Sequence, residues 1–304
     1  MSRVTINELL EAGVHFGHLK RKWNPNMAPY IFMEKNGIHI IDLQKTQVLL
    51  DKACAALKQI AKSGKKILFV ATKKQAKEIV AQHVKAINMP YVTERWPGGM
   101  LTNFPTIRRA IKKMASIDKL INDGTFNTLS KRERLQIMRQ RAKLEKNLGS
   151  IADMSRLPSA LFVIDIVKEH IAVKEARRLN IPVFAIVDTN ANPNLVDFPI
   201  PANDDASKSI DLIMRIVCQA IAEGLEERKL EKEKEQEQRT AQRVENFRER
   251  DRRKGKKMLL KEEEEIEEKI EETIHSDIEE QEEVDEEELL PSVEDETEDL
   301  EEEQ

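Results

Sequence analysis

Cysteine is scarce in this sequence: Cys54 and Cys218 are the only two in 304 residues, and they lie far apart in helix-like surroundings. That spacing excludes a disulfide scaffold and points to reduced core thiols. No apolar run approaches the ~20 residues needed to span a bilayer. The opening MSRVTINELL also lacks the long apolar segment of a secretory signal, so a soluble protein of the cytosol, or of an organelle matrix after processing, is expected, with no membrane partner. Neither G-x-G-x-x-G nor G-x-x-x-x-G-K-[ST] occurs, which argues against NAD, FAD and ATP, because those sites need glycines to bring backbone amides onto phosphate. There is no Cys/His/Asp triad, no H-E-x-x-H and no C-x-x-C pair, so catalysis has no nucleophile to stand on.

Charge, by contrast, is plentiful and unevenly divided. Residues 1–230 carry 37 Lys+Arg against 23 Asp+Glu, or +14; residues 231–304 carry 13 against 32, or −19, and the two sum to the formal −5. A basic body implies a polyanionic partner more readily than an acidic substrate. Beyond about Leu230 the apolar density collapses, and residues 258–304 hold 25 acids and two bases. Such a composition cannot bury enough surface to offset ordering entropy, so a mostly disordered tail with transient helix is expected over 231–304.

Within the body, apolar runs alternate with helical patterns. Ile38–Ile41 reads as a short strand, 46–60 as an amphipathic helix, 66–71 as a buried strand, 73–86 as a helix and 89–92 as a shorter strand. Further on, 160–164 and 183–187 are apolar runs that end at Asp165 and Asp188; helices are expected over 169–179 and 206–223. Strands without alternation, separated by helices, indicate an α/β fold with a parallel sheet covered on both faces. Between Trp96 and Leu157 the rhythm breaks. One helical stripe holds Ile107, Ile111, Met114 and Ile121, a second Leu135, Met138, Ala142 and Leu148, and Ser130 with Glu133 forms a capping-box signature. The expected organisation is a body of 1–104 and 150–230, an inserted helical hairpin over 105–149, and the tail. The hairpin is strongly positive, with 12 basic and 4 acidic residues between Pro105 and Lys146.

Three stretches carry candidate chemistry. Lys73 and Lys74 open a helix and could hold an RNA phosphate; a solvated basic helix start is the equally weighted alternative. Gly13 to Pro25 places two glycines, His15, the triplet Lys20-Arg21-Lys22, Trp23 and Asn24 in one loop-like segment. Cations there suit phosphates and Trp23 suits an exposed base, although Trp23 could equally anchor an N-terminal arm. Glu94 to Phe104 puts Gly98 and Gly99 at a bend, with Arg95 and Asn103 free for RNA. Finally, Asp165 and Asp188 close successive strands and Asp204-Asp205 precede a helix. Strand ends of a parallel sheet converge on one crevice, where His15 or His18 could complete a divalent-ion site; helix capping is the blander role for these aspartates.

At this point the sequence resembles the bacterial small-subunit ribosomal protein S-two family. The matching residues are Ala12-Gly13-Val14-His15-Phe16-Gly17-His18, Trp23-Asn24-Pro25, Ile40-Ile41-Asp42-Leu43, Arg95-Trp96 with Gly98 to Asn103, Pro158 to Asp165, His170 to Ala172, Lys174-Glu175-Ala176, Ile186 to Asn190 and Ile200 to Ala206. The resemblance implies a flavodoxin-like α/β domain with an inserted coiled-coil hairpin, binding of small-subunit ribosomal RNA, and contact with other small-subunit proteins, including the messenger-binding S-one protein. It also implies a divalent ion such as zinc or magnesium near His18, Asp188 and Asp204, with no cofactor required. Pro97 stands where the family commonly has Leu, and the acidic extension exceeds the expected tail. The expectation is a non-catalytic ribosomal protein with RNA contacts from Arg108, Arg109, Lys112 and Lys113 as well as the residues above. The rival is an α/β enzyme whose hairpin is a substrate lid.

Overall fold

A computed structural model describes residues 3–123, 125–240 and 242–243 of the chain. It divides into two units, 1–232 and 233–304.

The first unit begins with α1 (Ile6–Glu11), closed by a reciprocal capping box in which Thr5 accepts from the Glu8 amide and Glu8 accepts from the Thr5 amide. Strands β1 (Phe16–Leu19), β2 (Ile31–Lys35) and β3 (Ile38–Ile41) form an antiparallel sheet in the order β1-β3-β2. Ile38–Ile41 is therefore a strand as expected, but outside the parallel sheet. Its neighbours escaped the sequence reading because β2 is largely exposed and β1 carries Gly17 and His18 in place of an apolar run.

Helix α2 (Leu43–Lys62) starts where the Asp42 carboxylate accepts from the Gln44 amide. The main sheet follows: β4 (Ile67–Val70), α3 (Lys74–Ala86), β5 (Tyr91–Val92), the helical arm, β6 (Ala160–Ile164), α6 (His170–Arg178), β7 (Val183–Val187) and β8 (Phe198–Pro201). These five strands are parallel in the order β5-β4-β6-β7-β8. Strands β4, β6 and β7 are buried at every position, because both faces are covered. One face carries Phe69, Phe162 and Phe184 against α2, α3 and a long helix over 207–232 (α7); the other carries Leu68, Val163 and Ala185 against α6 and the loop around Trp96 and Leu101. Alternation along each strand thus feeds two cores at once. Pro199 and Pro201 are tolerated because β8 is an edge strand.

The β5-to-β6 crossover carries the arm, α4 (Phe104–Asn122) and α5 (Lys131–Leu148). The Ser130–Glu133 capping box forms at the start of α5. On α4 the expected stripe faces its partner. On α5 it does not: Leu135 and Met138 are 49% and 54% exposed, while Arg134, Ile137, Arg141, Leu144 and Leu148 are covered. A stripe two-fifths guanidinium by residue type reads as polar in sequence, yet the long stem of Arg141 packs in the seam and its head pairs with Asp118 and Glu145.

Most of the expected disordered tail, 244–304, lies outside the described residues. Residues 231–240 are helical, where the Glu/Lys/Gln run has high helix propensity. In the first unit Lys62 also pairs with Glu231 at 2.7 Å.

Candidate nucleic-acid interface

The sheet order reverses between β4 and β6, and the segments leaving these strands open the crevice that such folds use for ligands. Here it is filled by side chains. The Lys73 ammonium lies 2.7 Å from Asp204, 2.6 Å from Asp205 and 3.5 Å from Asp165. Burial works against its charge, and these carboxylates more than offset that, so its pKa is raised. Lys73 is 9% exposed, so it is an internal ion-pair residue and not a phosphate contact. Sequence could not separate it from Lys74, the exposed next residue.

His18 reaches the same cluster from β1. Its Nδ1 is 3.0 Å from Asp188 and its Nε2 is 3.4 Å from Asp205. The Asp188 hydrogen bond raises the His18 pKa against the opposing effect of burial. Thr189 holds the strand in place by accepting from the His18 amide at 2.8 Å, while the Asp188 carboxylate accepts from the Thr189 amide at 2.5 Å. Gly17 is required here, since a Cβ would lie 2.5 Å from Thr189 Cγ2. Donor atoms of His18, Asp188 and Asp204 fall within 4.8 Å of one another. Asp204 is buried, and its Oδ2 has no hydrogen-bond partner among the described residues. Burial and the charges of Asp188 and Asp165 push its pKa upward, against the pull of Lys73. Asp165, by contrast, caps its loop, accepting from the amides of Val167 and Lys168, both at 3.1 Å. His15 stays outside the cluster; its ring lies 4.0 Å from that of Phe16 and burial lowers its pKa.

Lys20, Arg21 and Lys22 form an exposed 3-10 turn, and Lys20 pairs with Glu34 at 2.7 Å. Trp23 is half-buried with its ring 5.1 Å from His39. Asn24 is a helix cap, accepting from the Asn26 amide at 3.0 Å.

A second cluster escaped sequence reasoning. The Glu175 carboxylate, buried on α6, accepts from the amides of Gly99 (2.7 Å), Leu101 (2.9 Å) and Thr102 (3.1 Å), and from the Trp96 indole at 3.2 Å. Burial raises its pKa, but the amide donors together outweigh that and lower it. Gly99, at φ +83°, supplies the left-handed bend that wraps the loop around this carboxylate. The sequence signal was present: Glu175 interrupts an apolar stripe of Ala172, Val173 and Ala176. Arg95 and Asn103 sit exposed on either side of the wrapped loop, at the root of the arm. Asn103 accepts from Thr106 Oγ1 at 2.9 Å.

The arm's charges are sorted by face. Asp118 and Glu145 are paired with Arg141 along the seam, and Glu133 is occupied by its capping box. Arg108, Arg109, Lys112 and Lys113 are exposed on α4, and none forms an ion pair among the described residues. A pair of helices on which three of the four acids are paired or capping, while α4 presents four unpaired cations, can hold a phosphate backbone. No helix among the described residues is long and apolar enough to cross a membrane.

Comparison with known proteins agrees with this architecture. The family model described as ribosomal protein S2 matches residues 9–224. Small ribosomal subunit protein uS2 of Phocaeicola vulgatus is 74% identical over 223 residues, covering 73% of this chain and 80% of the relative. Its counterpart in Flavobacterium johnsoniae is 72% identical over 222 residues, covering 73% and 87%, and that in Porphyromonas gingivalis is 70% identical over 223, covering 73% and 79%. The match spans the crevice, the wrapped loop and the arm, and on that basis the chain belongs to the ribosomal protein S2 family.

Proposed function

We propose that this chain is a structural constituent of the small ribosomal subunit, non-catalytic and cytoplasmic, that binds small-subunit ribosomal RNA and neighbouring ribosomal proteins. The observation that carries this reading is the arm, where Asp118 and Glu145 pair with Arg141, Glu133 is taken up in a cap, and Arg108, Arg109, Lys112 and Lys113 are exposed without ion pairs among the described residues. Exposed Arg21, Lys22, Lys74 and Arg95 extend the positive surface onto the body, with Trp23 beside the basic turn. The messenger-binding S-one protein is the further partner that the family resemblance implies. Co-sedimentation of the tagged chain with small subunits tests the reading as a whole.

The crevice supports a structural divalent ion held by His18, Asp188 and Asp204. The buried, unpartnered Asp204 Oδ2 fits a cation there, and one nitrogen with two oxygens is a donor set that zinc accepts. Bound, the ion would supply a cross-link among β1 and the loops after β7 and β8. Zinc retained by the purified chain after dialysis, and lost from Asp204→Asn, is the expected result of elemental analysis. Equal metal content in both proteins would contradict it.

A further inference from the structure

Resting on that reading, we propose that the arm is held by ribosomal RNA on both sides, with α5 forming a second RNA-binding face opposite that of α4. On α4 the covered residues Ile107, Ala110, Met114, Ile117 and Ile121 mark the seam, and Arg108, Lys112 and Lys119 lie across the helix from it. On α5 the seam is Arg134, Ile137, Arg141, Leu144 and Leu148. At 3.6 residues per turn, the surface opposite that seam holds Lys131, Arg132, Arg139, Lys143 and Lys146. All five are exposed and no carboxylate stands among them. Lys146 reaches Glu94 at 3.5 Å, whereas Arg132, Arg139 and Lys143 have no partner among the described residues.

Two helices packed ~8–10 Å apart, each ~10–12 Å across, put their outer faces roughly 20 Å from one another. The two cationic surfaces look in opposite directions. An RNA segment lying on one reaches the other only by bending around the helix pair, so two distinct segments are the simpler occupants. Unpaired Arg and Lys of one sign match a phosphate backbone. Met138 lies at the margin of the α5 face, whereas Leu135 falls within it between Lys131 and Arg139, one exposed apolar side chain flanked by cations.

The test is directed hydroxyl-radical probing in assembled small subunits, from iron–EDTA tethered at Ser116→Cys on α4 or at Gln136→Cys on α5. Both positions are exposed and away from the seam, and the native thiols of Cys54 and Cys218 are buried with pKa values pushed up to about 12, so they resist labelling. Two non-overlapping sets of ribosomal RNA cleavages are expected. Incorporation with no RNA cleavage from position 136 would overturn the inference and give the α5 face to a protein or to solvent; identical sets from both positions would also overturn it. Failure of both variants and of the unmodified chain to enter subunits would instead remove the functional reading on which it rests. As a second measurement, Arg132→Gln/Arg139→Gln/Lys143→Gln should weaken binding to small-subunit ribosomal RNA by about tenfold or more at moderate salt. Unchanged affinity would contradict the proposal.

Discussion

At the scale of single residues, buried carboxylates organise this protein. Glu175 anchors the loop at the arm's root through donors from four residues, and Lys73 is locked among three aspartates. Glu175→Gln places an amide donor against backbone donors and removes the charge they favour, at a cost of about 2–4 kcal/mol in denaturant unfolding. Because the folded-state pKa of Glu175 is depressed, its contribution is present above the ordinary carboxylate range and lost as pH falls through the folded value. The variant should therefore lose less stability on acidification than the parent. Equal acid sensitivity in the two proteins would show that the pKa of Glu175 does not differ between the folded and unfolded states. The interrupted apolar stripe of α6 marked Glu175 in sequence, but nothing there marked Lys73. Lys73 and Lys74 look alike there, and only the packing of 204–205 against the turn after β4 distinguishes them.

Among the elements, strands β6 and β7 were read to the residue because burial on both faces leaves an uninterrupted apolar signature. Strands β1, β2 and β8 were not, since exposure, glycine and proline erase that signature. The arm was legible as two helices with its capping box, but the phase of α5 was not. Arginines in the seam invert the hydrophobic pattern, and the outward Leu135 and Met138 mimic a core stripe. That error concealed the cations of α5, so the sequence pointed to α4 alone. On α4, Arg108→Gln/Lys112→Gln/Lys113→Gln should reduce the slope of log affinity for small-subunit ribosomal RNA against log salt by roughly 2–3. A slope equal to that of the parent would mean these cations meet no phosphate.

For the whole molecule, a basic first unit precedes a chain end of opposite sign, and the ribosomal RNA partner we propose suits only the former. Phosphate repels an acidic segment, so residues 258–304 are not expected to contribute to RNA binding. The composition shift that marks this division was plain in the sequence; what the tail meets was not, because like-charge runs specify no packing. The central claim is residence on the small subunit, and the most direct measurement is sedimentation of the tagged chain from a cell lysate through a sucrose gradient at moderate salt. The full chain and a variant lacking 258–304 should both migrate with the small subunit and be released together as salt is raised. Migration of the full chain as free protein at moderate salt would contradict the account.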